Sequence, residues 1–283
     1  MIHPRRPKLG QHFLADPKFR RLIADSLDVQ SDELLIEIGP GRGALTALLA
    51  ARGGHVVAVE LDGALASKLR KEFAAEPRVE VLHADILDTD IAVLCRERGA
   101  PGCAVFGNLP YYITSPILHH LFGYAASIRA MALVMQHEVA LRVTADPGAK
   151  SGRDYGYLSV LAQLYSKPRL RFVIPPGAFV PPPKVQSALV TFEMAPRFAD
   201  WNANESGAFL QFVQRCFAQK RKNLGNNLAG VYTRARVARG LDSLGLAPNL
   251  RAEQVTLERF RDLYRILHKP ESSVVYKARP KTP

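Results

Sequence analysis

Cysteine is scarce in this chain, and its three residues (Cys95, Cys103, Cys216) form no close pair and no metal-ligand spacing. That excludes a disulfide scaffold, and an odd, sparse set suits a reducing compartment. Long apolar runs are missing as well. None approaches the roughly 20 residues that span a bilayer, and no apolar stretch follows the charged N-terminus Met1-Ile2-His3-Pro4-Arg5-Arg6 that would make a signal peptide. The expectation is a cytoplasmic protein with no membrane association. There are no internal repeats, and His119, His120, His137 and His268 lack ligand spacing, so they are expected to be structural, with no metal bound. Acidic residues are outnumbered: the net charge is +12 and the isoelectric point about 9.8. The imbalance is uneven, with 23 Lys and Arg against 19 Asp and Glu in residues 1–199 but 15 against 7 in residues 200–283. A basic surplus of this kind points to a polyanionic partner.

What is present is an ordinary globular composition, 47% hydrophobic and 23% charged, in a chain of 283 residues, long enough for two domains. After a basic arm over residues 1–14, Asp16-Pro17 opens an amphipathic helix with Phe19, Leu22, Ile23 and Leu27 on one face. Apolar strands are then expected at 34–38, 55–60, 79–83, 103–107, 129–135, 169–174 and 185–193. Helices are expected at about 44–52, 63–74, 115–124, 136–145 and 156–166. Such alternation predicts an α/β fold with a doubly wound, mainly parallel sheet. The last two strands are joined by a short Pro-rich link, too short for a crossover helix, and should pair antiparallel as a hairpin. Beyond a linker around Pro196 to Trp201 only helical spacing remains, at 205–222, 234–244 and 253–267. The expected domains are therefore 1–198 and a helical 199–283 ending in a basic, disordered tail.

The stretch Phe106-Gly107-Asn108-Leu109-Pro110-Tyr111 lies where a strand hands over to a helix, with Ser115-Pro116 reading as the helix start. In open α/β sheets that edge binds ligands. Asn108 offers an amide acceptor, Tyr111 an aromatic face, and Pro110 biases Leu109 towards an extended backbone, which fixes the Leu109 carbonyl. Two fixed acceptors beside a flat ring suit an exocyclic amine on a planar base.

Glu37-Ile38-Gly39-Pro40-Gly41-Arg42-Gly43 follows the first strand and opens a helix, where glycines let a ligand approach the backbone closely. A tight turn without a ligand is the plainer alternative, and the spacing Gly39-x-Gly41-x-x-Ala44 also passes a dinucleotide fingerprint. Glu60 ends the second strand and can accept from both hydroxyls of a ribose. Asp85 follows the third strand and can accept from the amino group of an adenine, with Leu61 and Ile86 as apolar surfaces for the ring. Asp is also a common turn former at a strand end.

These residues, in this order, resemble an S-adenosylmethionine-dependent adenine-amine methyltransferase. With Gly10-Gln11-His12-Phe13-Leu14, Phe179-Val180-Pro181-Pro182-Pro183-Lys184-Val185 and the basic helical C-terminal part, nearly the whole chain is similar to the ribosomal small-subunit (16S) RNA adenine dimethyltransferases. The resemblance implies that Gln11 to Leu14 (His12 and Leu14 among them), Gly39, Gly41, Glu60, Leu61, Asp85, Ile86 and Asn108 hold S-adenosylmethionine. It also implies that two adjacent adenines near the 3′ end of the small-subunit RNA, naked or in a pre-small-subunit particle, are dimethylated; a monomer is expected, although nothing in the residues fixes the oligomeric state. Two positions depart from the family: His12 and Tyr112 stand where Asn is common.

The chemistry expected is positional. Asn108 and the Leu109 carbonyl, in the Asn108-Leu109-Pro110-Tyr111 catalytic stretch, would accept the two amine hydrogens and favour a pyramidal nitrogen. The base must leave its stack to reach them, and Tyr111 and Phe179 are expected to hold it, although Phe179 also reads as a core residue. Lys220, Arg221 and Lys222 are expected to extend a helix and contact phosphates, against the plainer reading of a solvated face. The rivals are a large-subunit RNA adenine methyltransferase of the antibiotic-resistance kind, a non-enzymatic RNA-binding assembly factor on the same fold, and a dehydrogenase.

Overall fold

The computed structural model describes residues 11–148 and 154–268; most of the expected basic arm and the expected C-terminal tail lie outside them. The chain divides into two compact units, Met1–Ala203 and Asn204–Pro283.

In the first unit the order is β1 (Phe13–Leu14), α1 (Pro17–Ala24), β2 (Leu34–Ile38), α2 (Ala44–Ala50), β3 (His55–Glu60), α3 (Gly63–Glu72), β4 (Val79–His83), α4 (Ile91–Glu97) and β5 (Cys103–Asn108). There follow α5 (Thr114–Gly123), β6 (Ile128–Gln136), α6 (His137–Thr144), α7 (Tyr157–Tyr165), β7 (Ser166–Ile174), β8 (Phe179–Val180) and β9 (Ser187–Met194). Seven strands form one sheet in the order β4-β3-β2-β5-β6-β9-β7. From β4 through β6 all neighbours are parallel. β9 is antiparallel to both β6 and β7, slotted between them, so the expected hairpin forms and closes the sheet.

Helix starts follow from the caps. Asp16, Asp62 and Asp90 each accept a hydrogen bond from a first-turn backbone N–H of α1, α3 and α4, which satisfies donors the helix itself cannot pair. Helix α4 has no counterpart among the expected elements, because Ile91-Ala92-Val93-Leu94-Cys95 is an apolar run without a clear period. Helix α5 begins at Thr114 rather than Ser115, and the Thr114 hydroxyl donates to the Pro110 carbonyl at 3.1 Å. In α1, Ile23 and Ala24 are buried while Leu22 stays 39% exposed, so Leu22 lies off the face it was expected to share.

The strands at the centre of the sheet, β2 and β5, are buried almost throughout, and Leu35, Ala104 and Phe106 pack into one cluster with Ile23, Leu49, Val134 and Leu189. Each large side chain so buried contributes about 1.5–3 kcal/mol. From β2 the chain winds out through β3 and β4, then returns to β5 on the other side of β2. The carboxyl ends of β2 and β5 therefore flank the switch point of the sheet, where a crevice opens.

The second unit holds α8 (Ala203–Cys216), α9 (Leu224–Leu228), α10 (Arg234–Ser243) and α11 (Leu257–His268). Phe209, Phe212, Val213 and Cys216 of α8 are buried, as are Phe260, Leu263 and Leu267 of α11. Helix α8 ends at Cys216, not near residue 222. Asn223 caps α9 by accepting from the Asn226 N–H at 2.9 Å, and the Asn227 amide donates to the Cys216 carbonyl at 2.7 Å. Gln219 to Lys222 are thereby a turn.

Candidate active site

A cleft lies outside the carboxyl ends of the parallel strands, where open α/β sheets bind ligands. Its wall contains Gln11, His12 and Phe13, then Gly39 and Gly41 after β2, Glu60 and Leu61 after β3, Asp85 and Ile86 after β4, and Asn108 to Ile113 after β5. Four strand ends thus supply one site.

The glycine loop is left-handed at Gly39, Gly41 and Gly43, with φ of 66°, 59° and 75°. At Gly41 the reason is doubled, because a Cβ there would come within 2.8 Å of the Phe13 ring. Glu60 is 3% exposed. Its Oε2 accepts from the Gly41 N–H at 3.0 Å and its Oε1 from the Asp62 N–H at 2.9 Å. Burial raises its carboxyl above the usual range, and these backbone bonds oppose the rise. Each carboxylate oxygen offers two acceptor positions, so both keep capacity for a hydroxyl. Beneath the loop, Glu37 is buried and accepts from the Thr46 hydroxyl at 2.6 Å. Burial pushes its carboxyl up to about 7 despite that bond, and the neighbouring Glu60 charge adds to the rise.

Asp85 lies past the end of β4 and caps a short 3₁₀ turn, Ile86–Asp88. Its Oδ1 accepts from the Leu87 N–H at 2.9 Å. Its Oδ2 has no hydrogen bond among the described residues and remains an acceptor. Leu61 is 44% exposed and Ile86 buried, so the apolar faces beside this acid differ in accessibility.

On the other side, the Asn108 Nδ2 donates to the His12 carbonyl at 2.8 Å. A carbonyl can only accept, so the amide nitrogen must face His12 and Oδ1 must face away from it. Leu109 donates its N–H to the Val134 carbonyl at 2.9 Å, while its own carbonyl has no hydrogen bond among the described residues. Asn108 Oδ1 and the Leu109 carbonyl are thus both available acceptors. His12 is itself held: its Nδ1 bonds the Pro181 carbonyl at 2.8 Å, and β1 pairs with β8 through Phe13↔Val180 and Leu14↔Phe179. The Tyr111 ring stacks on His12 at 5.7 Å and 26°. The Tyr111 hydroxyl shares a hydrogen bond with the Ser187 Oγ at 2.5 Å, and burial raises its pKa.

Two expected residues fall elsewhere. Leu14 packs on the core and lines a neighbouring cavity instead, with Glu37, Gly39, Gly41 and Asn108. Phe179 is 1% exposed within the same core. Pairing with Leu14 turns its ring inwards, leaving no face for a base, so the core reading of Phe179 replaces the stacking one. Lys220, Arg221 and Lys222 are exposed on their turn and border a shallow surface depression with Gln219. Among the described residues no group of His, Cys, Asp and Glu side chains could hold a metal ion, and no helix is long and apolar enough to cross a membrane. Val59, Ala84, Ile117 and Ser187 were not anticipated. The first three are apolar wall residues without a motif, and Ser187 is reached only through the fold.

Residues 2–269 match the family model described as ribosomal RNA adenine dimethylase. A relative from Acidobacterium capsulatum, named ribosomal RNA small subunit methyltransferase A, is 44% identical over 265 residues, covering 93% of this chain and 91% of the relative. One of the same name from Koribacter versatilis is 40% identical over 275 residues, covering 94% and 95%. Among solved structures, 23S rRNA methyltransferase ErmE is similar with a TM-score of 0.67 at 28% identity, covering 90% of this chain and 99% of that one. A dimethyladenosine transferase from Plasmodium falciparum shares the fold with a TM-score of 0.76 at 21% identity, covering 89% and 96%.

Proposed function

We propose, because this chain belongs to the ribosomal RNA adenine dimethylase family, that it transfers methyl groups to the exocyclic amines of two adjacent adenines near the 3′ end of small-subunit RNA. The product is N6,N6-dimethyladenosine, made during assembly of the small subunit. S-adenosylmethionine, when bound, supplies an electrophilic methyl group. The cleft suits it: Glu60 has acceptor capacity for two ribose hydroxyls, Asp85 Oδ2 for an adenine amino group, and His12, Gly39, Gly41, Leu61, Ile86 and Asn108 complete the wall.

The observation that carries the reading is the pair of acceptors on β5's exit, Asn108 Oδ1 and the Leu109 carbonyl, with the amide orientation dictated by the His12 carbonyl. The amine of adenine is a poor nucleophile because its lone pair is delocalised into the ring. Accepting its two hydrogens at two fixed oxygens favours a pyramidal nitrogen and frees the lone pair for attack. No strong base is required, since the proton can leave after transfer. Tyr111, tethered by Ser187 and braced by His12, supplies the ring face against which the extruded base rests. Lys220, Arg221 and Lys222 contact phosphates, so replacing all three by Ala should flatten the dependence of RNA affinity on salt.

A large-subunit specificity is the competing reading, favoured by the likeness to ErmE. The names of the relatives at 44% and 40% identity favour the small subunit. The deciding experiment offers methyl-labelled cofactor with small-subunit particles, naked small-subunit RNA and large-subunit RNA, then identifies the labelled nucleoside by mass spectrometry. Dimethyladenosine only in the small-subunit substrates is expected; label in large-subunit RNA alone would overturn the assignment. The chain is further proposed to act as a monomer in the cytoplasm.

A further inference from the structure

We propose that Tyr112 is a stacking platform for the nucleotide flanking the methylated adenine, a subsite separate from the one backed by Tyr111. This rests on the RNA adenine methylation proposed above.

Tyr111 and Tyr112 are consecutive in one 3₁₀ turn, Tyr111–Ile113. At about three residues per turn, neighbouring side chains point about 120° apart, so the two rings cannot enclose a single base. Their surroundings differ accordingly. Tyr111 is half-buried, its hydroxyl tied to Ser187 and its ring to His12. Tyr112 is 62% exposed, the largest value for a large hydrophobic side chain among the described residues, yet it lines the wall of the same cleft. It has no ring partner and no hydrogen bond among the described residues.

A base that swings out to reach Asn108 leaves its neighbour with one unstacked face. An exposed ring on the cleft rim can cover that face, and stacking on an aromatic ring tolerates any base. The division of labour follows from the tethers. A fixed ring suits the target, whose amine must meet two fixed acceptors, whereas a free ring suits a neighbour that need only be covered.

The test uses the full chain and small-subunit RNA, in whichever form the wild-type chain methylates, with 2-aminopurine at the target or at a flanking position. Flanking fluorescence should be quenched on binding by wild type and by Tyr112→Phe, and not by Tyr112→Ala or Tyr112→Asn. RNA affinity should fall about five- to 150-fold in the last two, while cofactor affinity measured by calorimetry and the signal at the target position stay unchanged. Unaltered flanking quenching and RNA affinity in Tyr112→Ala would overturn the proposal. A loss confined to cofactor affinity would also overturn it, making Tyr112 a cover over the cofactor. Failure of the underlying reading would show separately, as no methyl transfer by the wild-type chain.

Discussion

At the acid end of the cleft, Glu60 is held by the N–H groups of Asp62 and Gly41, 2 and 19 residues away, and Asp85 by Leu87, 2 residues away. At the amine end, Asn108 is held by His12 across 96 residues, Tyr111 by Ser187 across 76, and His12 by Pro181 across 169. The acid end is therefore built within successive βα units and needs little beyond them. The amine end exists only when β1 has paired with β8 and β9 has been inserted beside β6. Cofactor affinity should accordingly answer to local substitutions, and turnover to distant ones as well.

The sharpest test of that division is Asn108→Ala. Removing a preorganised hydrogen-bonding group used mainly in the transition state should cost about 2.7–4 kcal/mol, or on the order of a hundred- to thousandfold in rate. Single-turnover transfer of labelled methyl at saturating cofactor and RNA measures it, with cofactor affinity falling much less. A near-normal rate would show that Asn108 merely shapes the turn.

Next in size is a pH effect beneath the acid end. Glu37 titrates at about 7 in the folded chain, raised first by burial, against a reference value of 4.5. Between those values the folded state retains a proton that the unfolded chain has released, so stability falls as pH rises through the window. The loss amounts to at most roughly 3 kcal/mol above pH 7. Glu37→Gln keeps an acceptor for Thr46 and removes the titration, so its advantage in denaturation midpoint should grow from pH 5 to pH 8. Parallel pH profiles for the two proteins would rule this out.

Glu60→Ala and Asp85→Ala should follow, each lowering cofactor affinity by about 1.5–3 kcal/mol, the usual worth of hydrogen bonds to a charged group. Glu60→Ala should have the larger effect, since it leaves two backbone N–H groups unpaired, those of Gly41 and Asp62, where Asp85→Ala leaves one, that of Leu87. Calorimetry of both variants checks this, and unchanged affinity in both would remove the acid end from cofactor binding. Maximal turnover at saturating cofactor should change little, in contrast to Asn108→Ala.

The same division explains what could be read from the sequence. Strands β2, β3, β5 and β6 are legible because buried strands are largely continuous apolar runs, and Glu60 because an acid at the end of such a run is conspicuous. Strand β4 and the Asp85 beyond it are read from the alternation of Val79 and Val81 with Glu80. Asn108 to Tyr111 stood out through Pro110. What escaped was whatever depends on pairing between remote segments. Two-residue strands such as β1 and β8 have no period to detect, so their pairing has no signal in the sequence, and without it the core and stacking readings of Phe179 stay open. The run Gln219 to Lys222 carries no helix breaker, and its turn is dictated by the cap at Asn223 and the Asn227 amide.

The smallest effect, and the one that tests the distant half of the comparison most directly, is expected from Ser187→Ala. Ser187 is fully buried at the start of β9, paired with both Gln136 of β6 and Ile174 of β7. Its backbone place should survive the change, because alanine fits wherever serine did. What is lost is the partner of the Tyr111 hydroxyl. A net hydrogen bond is worth about 0.5–1.5 kcal/mol, so turnover should fall about two- to tenfold as Tyr111 gains freedom against His12. Cofactor affinity should not move, because Ser187 is not among the residues that line the cleft. Tyr111→Phe removes the same bond from the other side, and the double variant should be no worse than either single one, since all three lack one shared interaction. Single-turnover rates for the three variants decide the matter. Additive losses would mean that Ser187 and Tyr111 act independently, and the amine end would then be as local as the acid end.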